Sequence, residues 1–458
     1  MAAKNPGRSS PKSATPKSTL PKSILNFMAG LHKNLRISKV VQHSESVEIF
    51  VDLPSPPRVC PICRQNDCTI KDGGREQSVR HITIAGTGSF VTFHRSRFFC
   101  KHCHISFMQD IDWIHPSFHI TMKLFHEICL SLGHMLSVTM IASIHHVTPS
   151  TVDSILDSVD IPRPVHLPMA LGIDEFMGSS GIWNEELHQW SISKFHCNIS
   201  NADAGYVSDV LMLASVADVK KYFRQYPIFE RERVQCFCCD MHNGFISVAK
   251  ELFPSAHVCI DTFHLINNLN KFVTAVRLRL QREAQDCGDM QKYRMLKHAA
   301  KSILMNEWKQ TVARNPKNAS RRSHLNILFS TFPEIKLASD ALQSFHLILA
   351  QPELTLRRAM LTDWLETYLS CGLPEIEAAA RSIRHWRGYI DNTWAYGRTN
   401  STCEGLNKKI KDIKRIAFGT HNFERFRKRI LLVCGPARPA SSFFTLFGQK
   451  KEEAKKKS

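Results

Sequence analysis

The order of strand and helix patterns between Met169 and Ala284 constrains the fold of this chain most strongly. Three segments with strand patterns come first, and helices and strands then alternate until a long helix ends the series. The strands are read from "MALGIDEF", "HQWSISKFHCNIS", "YVSDVLMLASV", "RVQCFCCD" and "AHVCID", and the helices from "ADVKKYFRQYP", "NGFISVAKELFP" and "TFHLINNLNKFVTAVRLRLQREA". The predicted order is therefore β-β-β-α-β-α-β-α.

This order is that of the ribonuclease H-like fold, in which the first and fourth strands lie side by side at the centre of the sheet. We predict the first part of such a core over residues 161–284. Only helical patterns follow over residues 285–395, and a closing helix with a basic segment occupies residues 396–435. With 458 residues the chain is too long for one ordinary core. The predicted fold class is thus multidomain α/β, with an all-α insertion inside a mixed-sheet core.

Three acidic residues occupy positions where this fold would bring them together. Asp174 ends the first predicted strand, Asp240 ends the fourth, and Glu404 opens the closing helix. Carboxylate oxygens suit Mg²⁺ or Mn²⁺. Two such ions about 3.5–4 Å apart can activate an attacking hydroxyl and stabilise the leaving oxygen at a phosphodiester. We therefore predict that these three residues are catalytic and hold two Mg²⁺ (or Mn²⁺) ions.

The 15 cysteines include two Cys-x-x-Cys pairs on either side of one short segment, Cys60 with Cys63 and Cys100 with Cys103. The residues between the pairs alternate like a hairpin with Gly86 and Gly88 at its turn. Four thiolates from two such pairs can close a tetrahedral zinc site. We predict a structural Zn²⁺ in a zinc-ribbon DNA-binding domain over residues 36–112. Two unrelated cysteine pairs are the alternative.

Residues 113–160 have helical patterns with a short break before Thr148 and Pro149. Thr is a common N-cap and Pro a common first residue of a helix, so a new helix is predicted to begin there. The spacing fits a helix-turn-helix domain, whose second helix could enter a major groove of DNA. A plain helical hairpin is the alternative.

The formal net charge of +19 indicates a polyanionic partner, most simply nucleic acid, with a solubilising surface charge as the alternative. Residues 1–35 are rich in Lys, Pro and Ser and are predicted to be a disordered basic tail. A second basic tail is predicted over residues 436–458. No apolar run approaches membrane-spanning length, and no signal-peptide pattern is present. We therefore expect a soluble protein that is not secreted and does not enter a membrane.

Part of the basic charge follows Glu404 on the closing helix. The basic residues recur every three or four positions and are predicted to share one face: Lys408, Lys411, Lys414 and Arg415. Such a face would contact DNA phosphates and hold the strand to be cut in register. A generic solvated face is the alternative.

The chain resembles insertion-sequence transposases with a DDE catalytic centre, of the ISL-three type. The matching stretches run from about residue 38 to 435: "CPIC…FFCKHC", the helix-turn-helix, "LGIDEF", "DMHNGFISVAKELFPSAHVCIDTFHLINNLN", "YRMLK" and "TNSTCEGLNKKIKDIKRIAFGTHNFERFRKRIL". The resemblance implies an enzyme that binds the terminal inverted repeats of its element and catalyses metal-dependent DNA cleavage and strand transfer. It also implies double-stranded DNA at transposon ends and target as partner, a homodimer in the synaptic complex, and a cytoplasmic, nucleoid-associated location in a bacterium.

By this resemblance Asp174, Asp240 and Glu404 take the three catalytic acid positions. The family's Asp-x-x-His element matches Asp261 and His264, to which a supporting role is assigned; a helix capped by Asp261 with a packed His264 is the alternative. Either Asp240 or Asp261 could be the second acid, and the strand order favours Asp240. The family often has Arg where this chain has Thr262, a departure that removes no catalytic acid. A transposase-derived DNA-binding regulator without catalysis and a ribonuclease H-like nuclease or resolvase are the alternative functions.

Overall fold

The computed structural model describes residues 31, 35–54, 59–71, 73–178, 182–184, 189–191, 195–305, 316–417 and 422–436. The chain divides into two compact units between Asp160 and Ile161. The two predicted basic tails lie almost wholly outside the described residues. Within those residues, no helix has both the length and the apolar character needed to cross a lipid bilayer.

The described part of the first unit contains two antiparallel hairpins joined into one sheet, and a smaller sheet beside the cysteines. The strands are Arg36–Gln42 (β1), Ser46–Asp52 (β2), Thr69–Ile70 (β3), Arg75–Ile84 (β4), Thr87–Arg95 (β5), Arg97–Phe99 (β6) and Ser106–Met108 (β7). The larger sheet has the order β1-β2-β5-β4, and the smaller has the order β3-β6-β7. Alternate side chains of the larger sheet form its apolar core, including Ile49, Val79 and Val91.

The predicted hairpin between the cysteine pairs is β4–β5, but its turn differs from the prediction. Ala85 and Gly86 form the turn with φ of 49° and 79°, and the ladder resumes at Thr87. Two residues with positive φ are what a tight hairpin turn of this twist requires. Gly88 lies inside β5 instead of the turn.

Three helices complete the described part of the first unit: Met122–Leu132 (α1), Val138–Ile144 (α2) and Pro149–Ser158 (α3). As predicted, the Thr148 side chain caps α3 by accepting a hydrogen bond from the Thr151 amide, and Pro149 is the first helical residue. The hairpin contacts the end of α2 and the turn after it: Thr83 Oγ1 donates to the Ile144 carbonyl at 2.9 Å, and His146 Nε2 lies 3.1 Å from the Gly86 carbonyl at the hairpin tip.

A five-stranded mixed sheet lies at the centre of the second unit. The strands of this unit are Ala170–Met177 (β8), Ile182–Asn184 (β9), Gln189–Ser191 (β10), Phe195–Asn201 (β11), Tyr206–Leu211 (β12), Cys236–Cys239 (β13) and His257–Ile260 (β14). The sheet has the order β12-β11-β8-β13-β14; the first three strands are antiparallel and the last three parallel. The first and fourth predicted strands, β8 and β13, are therefore neighbours.

The second predicted strand is wrong as a single element. Its residues contribute to β10, which pairs with β9 in a separate two-stranded sheet, and to β11 of the central sheet. Residues 192–194, between the two strands, lie outside the described residues. Alternating apolar residues predicted the strand character, but they do not show which strand each half pairs with.

The helices of the second unit cover the sheet and extend from it as a helical region. They are Val216–Phe223 (α4), Ile228–Glu232 (α5), Asn243–Leu252 (α6), Thr262–Asp286 (α7), Met290–His298 (α8), Pro316–Thr331 (α9), Pro333–Ala350 (α10), Leu354–Tyr368 (α11), Pro374–Tyr396 (α12), Ser401–Ile416 (α13) and Phe423–Cys434 (α14). One hydrophobic core runs from the sheet through α7 into the helices that follow it. The unit is therefore a mixed α/β structure in which sheet and helical region share apolar packing.

Helix α12 covers the outer edge of β14. The Thr393 hydroxyl accepts from the Ile260 amide at 2.8 Å and lies 2.9 Å from the Ile260 carbonyl, to which it donates. Asn392 donates to the Val258 carbonyl at 3.1 Å. These bonds satisfy backbone groups that an exposed edge strand would leave open. They also tie the helical region to the strand that precedes Asp261.

Candidate active site

Three aspartates lie in one row across the parallel half of the sheet. Asp174 is in β8, Asp240 directly follows β13, and Asp261 directly follows β14. Continuing the parallel register beyond its last pairs sets Asp174 beside Asp240, and Asp240 beside Asp261. The prediction that Asp174 ends its strand is wrong, because β8 continues to Met177 by pairing with antiparallel β11.

Helix α13 brings Glu404 to this row by packing closely on β8. A Cβ atom at Gly172 of β8 would lie 2.5 Å from both Cys403 Sγ and Ser200 Oγ. The two side chains are buried and hydrogen-bonded to each other at 2.7 Å. The missing side chain at Gly172 therefore allows the first turn of α13 to lie directly against the sheet, with Glu404 next in sequence to Cys403.

His264 lies between two of the acids. Its Nε2 atom is 3.2 Å from Asp240 Oδ1 and 3.3 Å from Glu404 Oε1. Asp261, His264 and Glu404 also offer ligand atoms that all lie within 4.8 Å of one another. Asp261 is 3% exposed; one of its oxygens accepts from the Phe263 amide, and its Oδ2 has no hydrogen-bond partner among the described residues. The Asp-x-x-His element thus lies at the acids, as its sequence position suggests.

The pKa values of the acids at this site are shifted in different directions, although the acids lie close together. Burial, followed by the charge of Asp240, raises the pKa of Asp174 to about 7. Burial also raises the pKa of Asp240, but hydrogen bonds from His264 and Asn400 outweigh it and hold this pKa below its usual value. Burial and the charge of Asp261 raise the pKa of Glu404. The hydrogen bond to Asp240 raises the pKa of His264 to about 9. The site therefore concentrates negative charge that one histidine cation partly offsets.

Two asparagines complete the site, and sequence reasoning missed both. Asn407 Nδ2 donates to Asp174 Oδ2 at 2.8 Å, and Asn400 Nδ2 donates to Asp240 Oδ1 at 2.9 Å. Asn407 lies in α13, three residues after Glu404, and Asn400 directly precedes the helix, four residues before Glu404. That helical spacing was a usable signal, because residues at such intervals share one face.

The side chains at this edge of the sheet fit a hard divalent cation. Asp174, Asp240, Asp261 and Glu404 supply carboxylate oxygens, the ligand type that Mg²⁺ and Mn²⁺ prefer. The raised pKa of Asp174 reflects a buried carboxyl close to other acids, a cost that a bound cation would relieve. The orphaned Oδ2 of buried Asp261 is a further oxygen available as a ligand.

A family model described as a transposase, of the DDE type and ISL-three group, matches residues 171–430. The chain belongs to this transposase family. The matched range covers more than half of the chain and contains Asp174, Asp240, Asp261, His264 and Glu404. No curated protein matches the chain.

The predicted basic residues of α13 in this transposase differ in their exposure and in their hydrogen-bond partners. Lys408 and Lys411 are exposed. Arg415 is exposed as well and pairs with Asp412 at 3.0 Å. Lys414, by contrast, donates to the backbone carbonyls of Met177 and Gly178 at the end of β8. Lys414 is therefore half-buried at the edge where α13 meets the sheet, and a contact of its side chain with DNA stays a prediction.

The four predicted zinc ligands of the transposase come together in the first unit. The Sγ atoms of Cys60 and Cys103 are 4.0 Å apart and those of Cys63 and Cys100 are 3.6 Å apart. A tetrahedral zinc with Zn–S bonds of about 2.3 Å needs Sγ atoms about 3.8 Å apart. Cys68 is buried beside this cluster but does not belong to the set of four.

The two cysteine pairs of the transposase have the same backbone geometry. The Cys60 amide donates to the carbonyl five residues later at 2.9 Å, and the Cys100 amide does the same at 2.9 Å. The residue after each second cysteine, Arg64 or His104, has a positive φ of 62° or 53°. Each pair thus forms a tight turn that directs two thiols to one point, a geometry that fits Zn²⁺.

Proposed function

We propose that this protein is a DNA transposase that binds the terminal inverted repeats of an insertion sequence and catalyses metal-dependent cleavage and strand transfer. The observation that carries the proposal is the convergence of Asp174, Asp240 and Glu404 from two neighbouring strands and the helix packed on them. Membership of the transposase family supports the same reaction.

In this proposal Asp174, Asp240 and Glu404 are the catalytic acids and the ligands of two Mg²⁺ (or Mn²⁺) ions. When bound, such ions activate a water or a 3′-hydroxyl and stabilise the leaving oxygen of the phosphodiester. Asp240 is preferred to Asp261 as the second acid because its strand adjoins β8 and its charge acts most strongly on Asp174. Asp261 and His264 have a supporting role.

His264 keeps Asp240 and Glu404 close together, because its Nε2 atom contacts both carboxylates. Lys408 and Lys411, one and two turns beyond Glu404, are proposed to bind phosphates of the strand to be cut. Lys414 and Arg415 add positive charge at the same helix end. These contacts would hold the scissile phosphate in register with the acids.

End recognition is assigned to the first unit. Cys60, Cys63, Cys100 and Cys103 are proposed to hold a structural Zn²⁺ in a zinc ribbon, and α2 and α3 to form a helix-turn-helix that reads double-stranded DNA. The second unit is proposed to have a ribonuclease H-like core that acts on transposon ends and target DNA. Synapsis of two ends implies a homodimer at work, in the bacterial cytoplasm with the nucleoid.

A donor plasmid that carries the element's ends tests the proposal. We expect Mg²⁺-dependent excision by the wild type and none by Asp174→Asn, Asp240→Asn or Glu404→Gln. Glu366→Gln, which changes an exposed acid of α11, is the matched control and should excise like the wild type. A wild type that binds the ends but does not excise would instead indicate the regulator without catalysis. Cutting of branched DNA without a need for specific ends would indicate a nuclease or resolvase.

A further inference from the structure

We infer that Asn400 and Asn407 are positioning residues. Asn400 sets the orientation of Asp240 for metal binding, and Asn407 sets that of Asp174. The inference rests on the proposed function, since it concerns the same acids. Asn400 is the residue before α13, and Asn407 lies within it, so one helix carries Glu404 together with an amide donor for each aspartate. The helix therefore aligns all three acids at once.

Asn407 fixes Asp174 from one side of the carboxylate. Its Nδ2 atom donates to Asp174 Oδ2 at 2.8 Å, while the backbone amide of Glu175 donates to Asp174 Oδ1 at 2.8 Å. Asn407 is in turn oriented by Asn198 of β11, which donates to its Oδ1 atom at 3.1 Å. Because the oxygen of Asn407 is held by Asn198, its NH₂ group must face Asp174.

Asn400 does not cap its helix in the way that is usual for an asparagine at the N-cap position. An N-cap asparagine usually accepts a hydrogen bond from the first turn of its helix. Asn400 makes no such bond, and its side chain instead donates to Asp240 Oδ1 at 2.9 Å. Its Oδ1 atom is buried without a hydrogen-bond partner among the described residues.

An unpaired buried oxygen costs free energy, so a role for the donor end of Asn400 explains why the side chain points inward. The bonds from Asn400 and His264 both end on Oδ1 of Asp240. The other oxygen of Asp240 is thereby left for a cation. Groups that orient a metal ligand in this way typically affect metal affinity by about 10- to 100-fold.

Manganese binding to the full-length protein tests the inference without measuring catalysis. Free Mn²⁺ has an electron paramagnetic resonance signal that falls as the ion binds, which gives the affinity directly. We expect Asn407→Leu and Asn400→Ala each to weaken Mn²⁺ binding by about 10- to 100-fold. Asn268→Leu removes a different helix–helix bond, from Asn268 to Ser382, and should bind Mn²⁺ like the wild type.

Asp174→Asn separates the two proposals. If the wild type binds Mn²⁺ and Asp174→Asn does not, while folded Asn407→Leu and Asn400→Ala bind like the wild type, the positioning role is wrong and the metal site stands. If the wild type and Asp174→Asn bind equally weakly, the proposed function itself fails. Thermal melting in chelator identifies a variant that does not fold, and the other asparagine variant then decides the comparison.

Discussion

Gly172 lets helix α13 lie directly on strand β8, and so brings Glu404 to the aspartates. A methyl group at this position would meet the side chains of Cys403 and Ser200 at 2.5 Å, well inside van der Waals contact. Both neighbours are fully buried, so neither has space to move aside. The helix would have to move away from the sheet.

We therefore predict that Gly172→Ala destabilises the protein and reduces end cleavage. Overpacking of this kind costs about 1–3 kcal/mol, which thermal or denaturant unfolding would measure. Gly388→Ala is the matched control, because a Cβ atom there has nothing within 4 Å and the residue is in helix α12. The free energy of unfolding of this control should equal that of the wild type or exceed it by up to about 1 kcal/mol. Equal stability of Gly172→Ala and the wild type would contradict the close packing.

The acids could be proposed from the sequence, whereas the contacts that hold them could not. Asp240 and Asp261 each follow an apolar run that predicts a strand, so their placement follows from strand order. The spacing of Asn407 from Glu404 indicates a shared helix face but not the bonding partner, and Gly172 gives no signal, because both roles depend on which residues of β8 and β11 lie under α13. That register is a tertiary property, and one residue of shift would exchange the faces of a strand.

At the scale of elements, α13 combines the acid site with a basic surface. Its buried residues, including Leu406, Ile410 and Ile413, hold it on the unit, while Lys408 and Lys411 project to solvent. Periodicity in the sequence predicted this basic surface. It did not predict that Lys414 bonds to the end of β8, because β8 extends past Asp174 only through its pairing with β11.

We predict that Lys408→Ala with Lys411→Ala weakens DNA binding and makes it less sensitive to salt. Each lost phosphate contact should reduce the slope of log K against log salt concentration by about 0.9. Binding measured over a salt series checks this. Lys409→Ala, on an exposed but different side of the same helix, is the control and should keep the wild-type slope. An unchanged slope in the double variant would exclude phosphate contacts by these lysines.

The cysteine turns of the first unit make a second prediction at this scale. Protein purified without chelator should contain about one zinc ion per chain, because four thiols meet at tetrahedral spacing. Cys100→Ser should lose this zinc and melt at a lower temperature, whereas Cys287→Ser, which changes an exposed cysteine, should retain it. Elemental analysis that finds no zinc in freshly reduced wild type would contradict the assignment.

At the scale of the whole molecule, DNA recognition and DNA cleavage are proposed to belong to different units. The first contains the cysteine cluster and the helices assigned to DNA recognition, and the second contains the acids. The sequence predicted strands well where the apolar runs are short and clearly bounded, as in β13 and β14. It placed a boundary at residues 284/285, inside helix α7, because a change from mixed to helical patterns does not reveal that one hydrophobic core continues across it.

The central claim is that Asp174, Asp240 and Glu404 form a metal-dependent centre for cutting DNA at the element's ends. The most direct test incubates purified protein with linear DNA that carries one end and maps the products with Mg²⁺ and with chelator. We predict cleavage at the end that leaves a 3′-hydroxyl, requires Mg²⁺, forms no covalent protein–DNA link, and disappears in each acid variant. Wild-type cleavage that survives Asp174→Asn or Glu404→Gln, or specific binding with no cleavage in Mg²⁺, would contradict the claim.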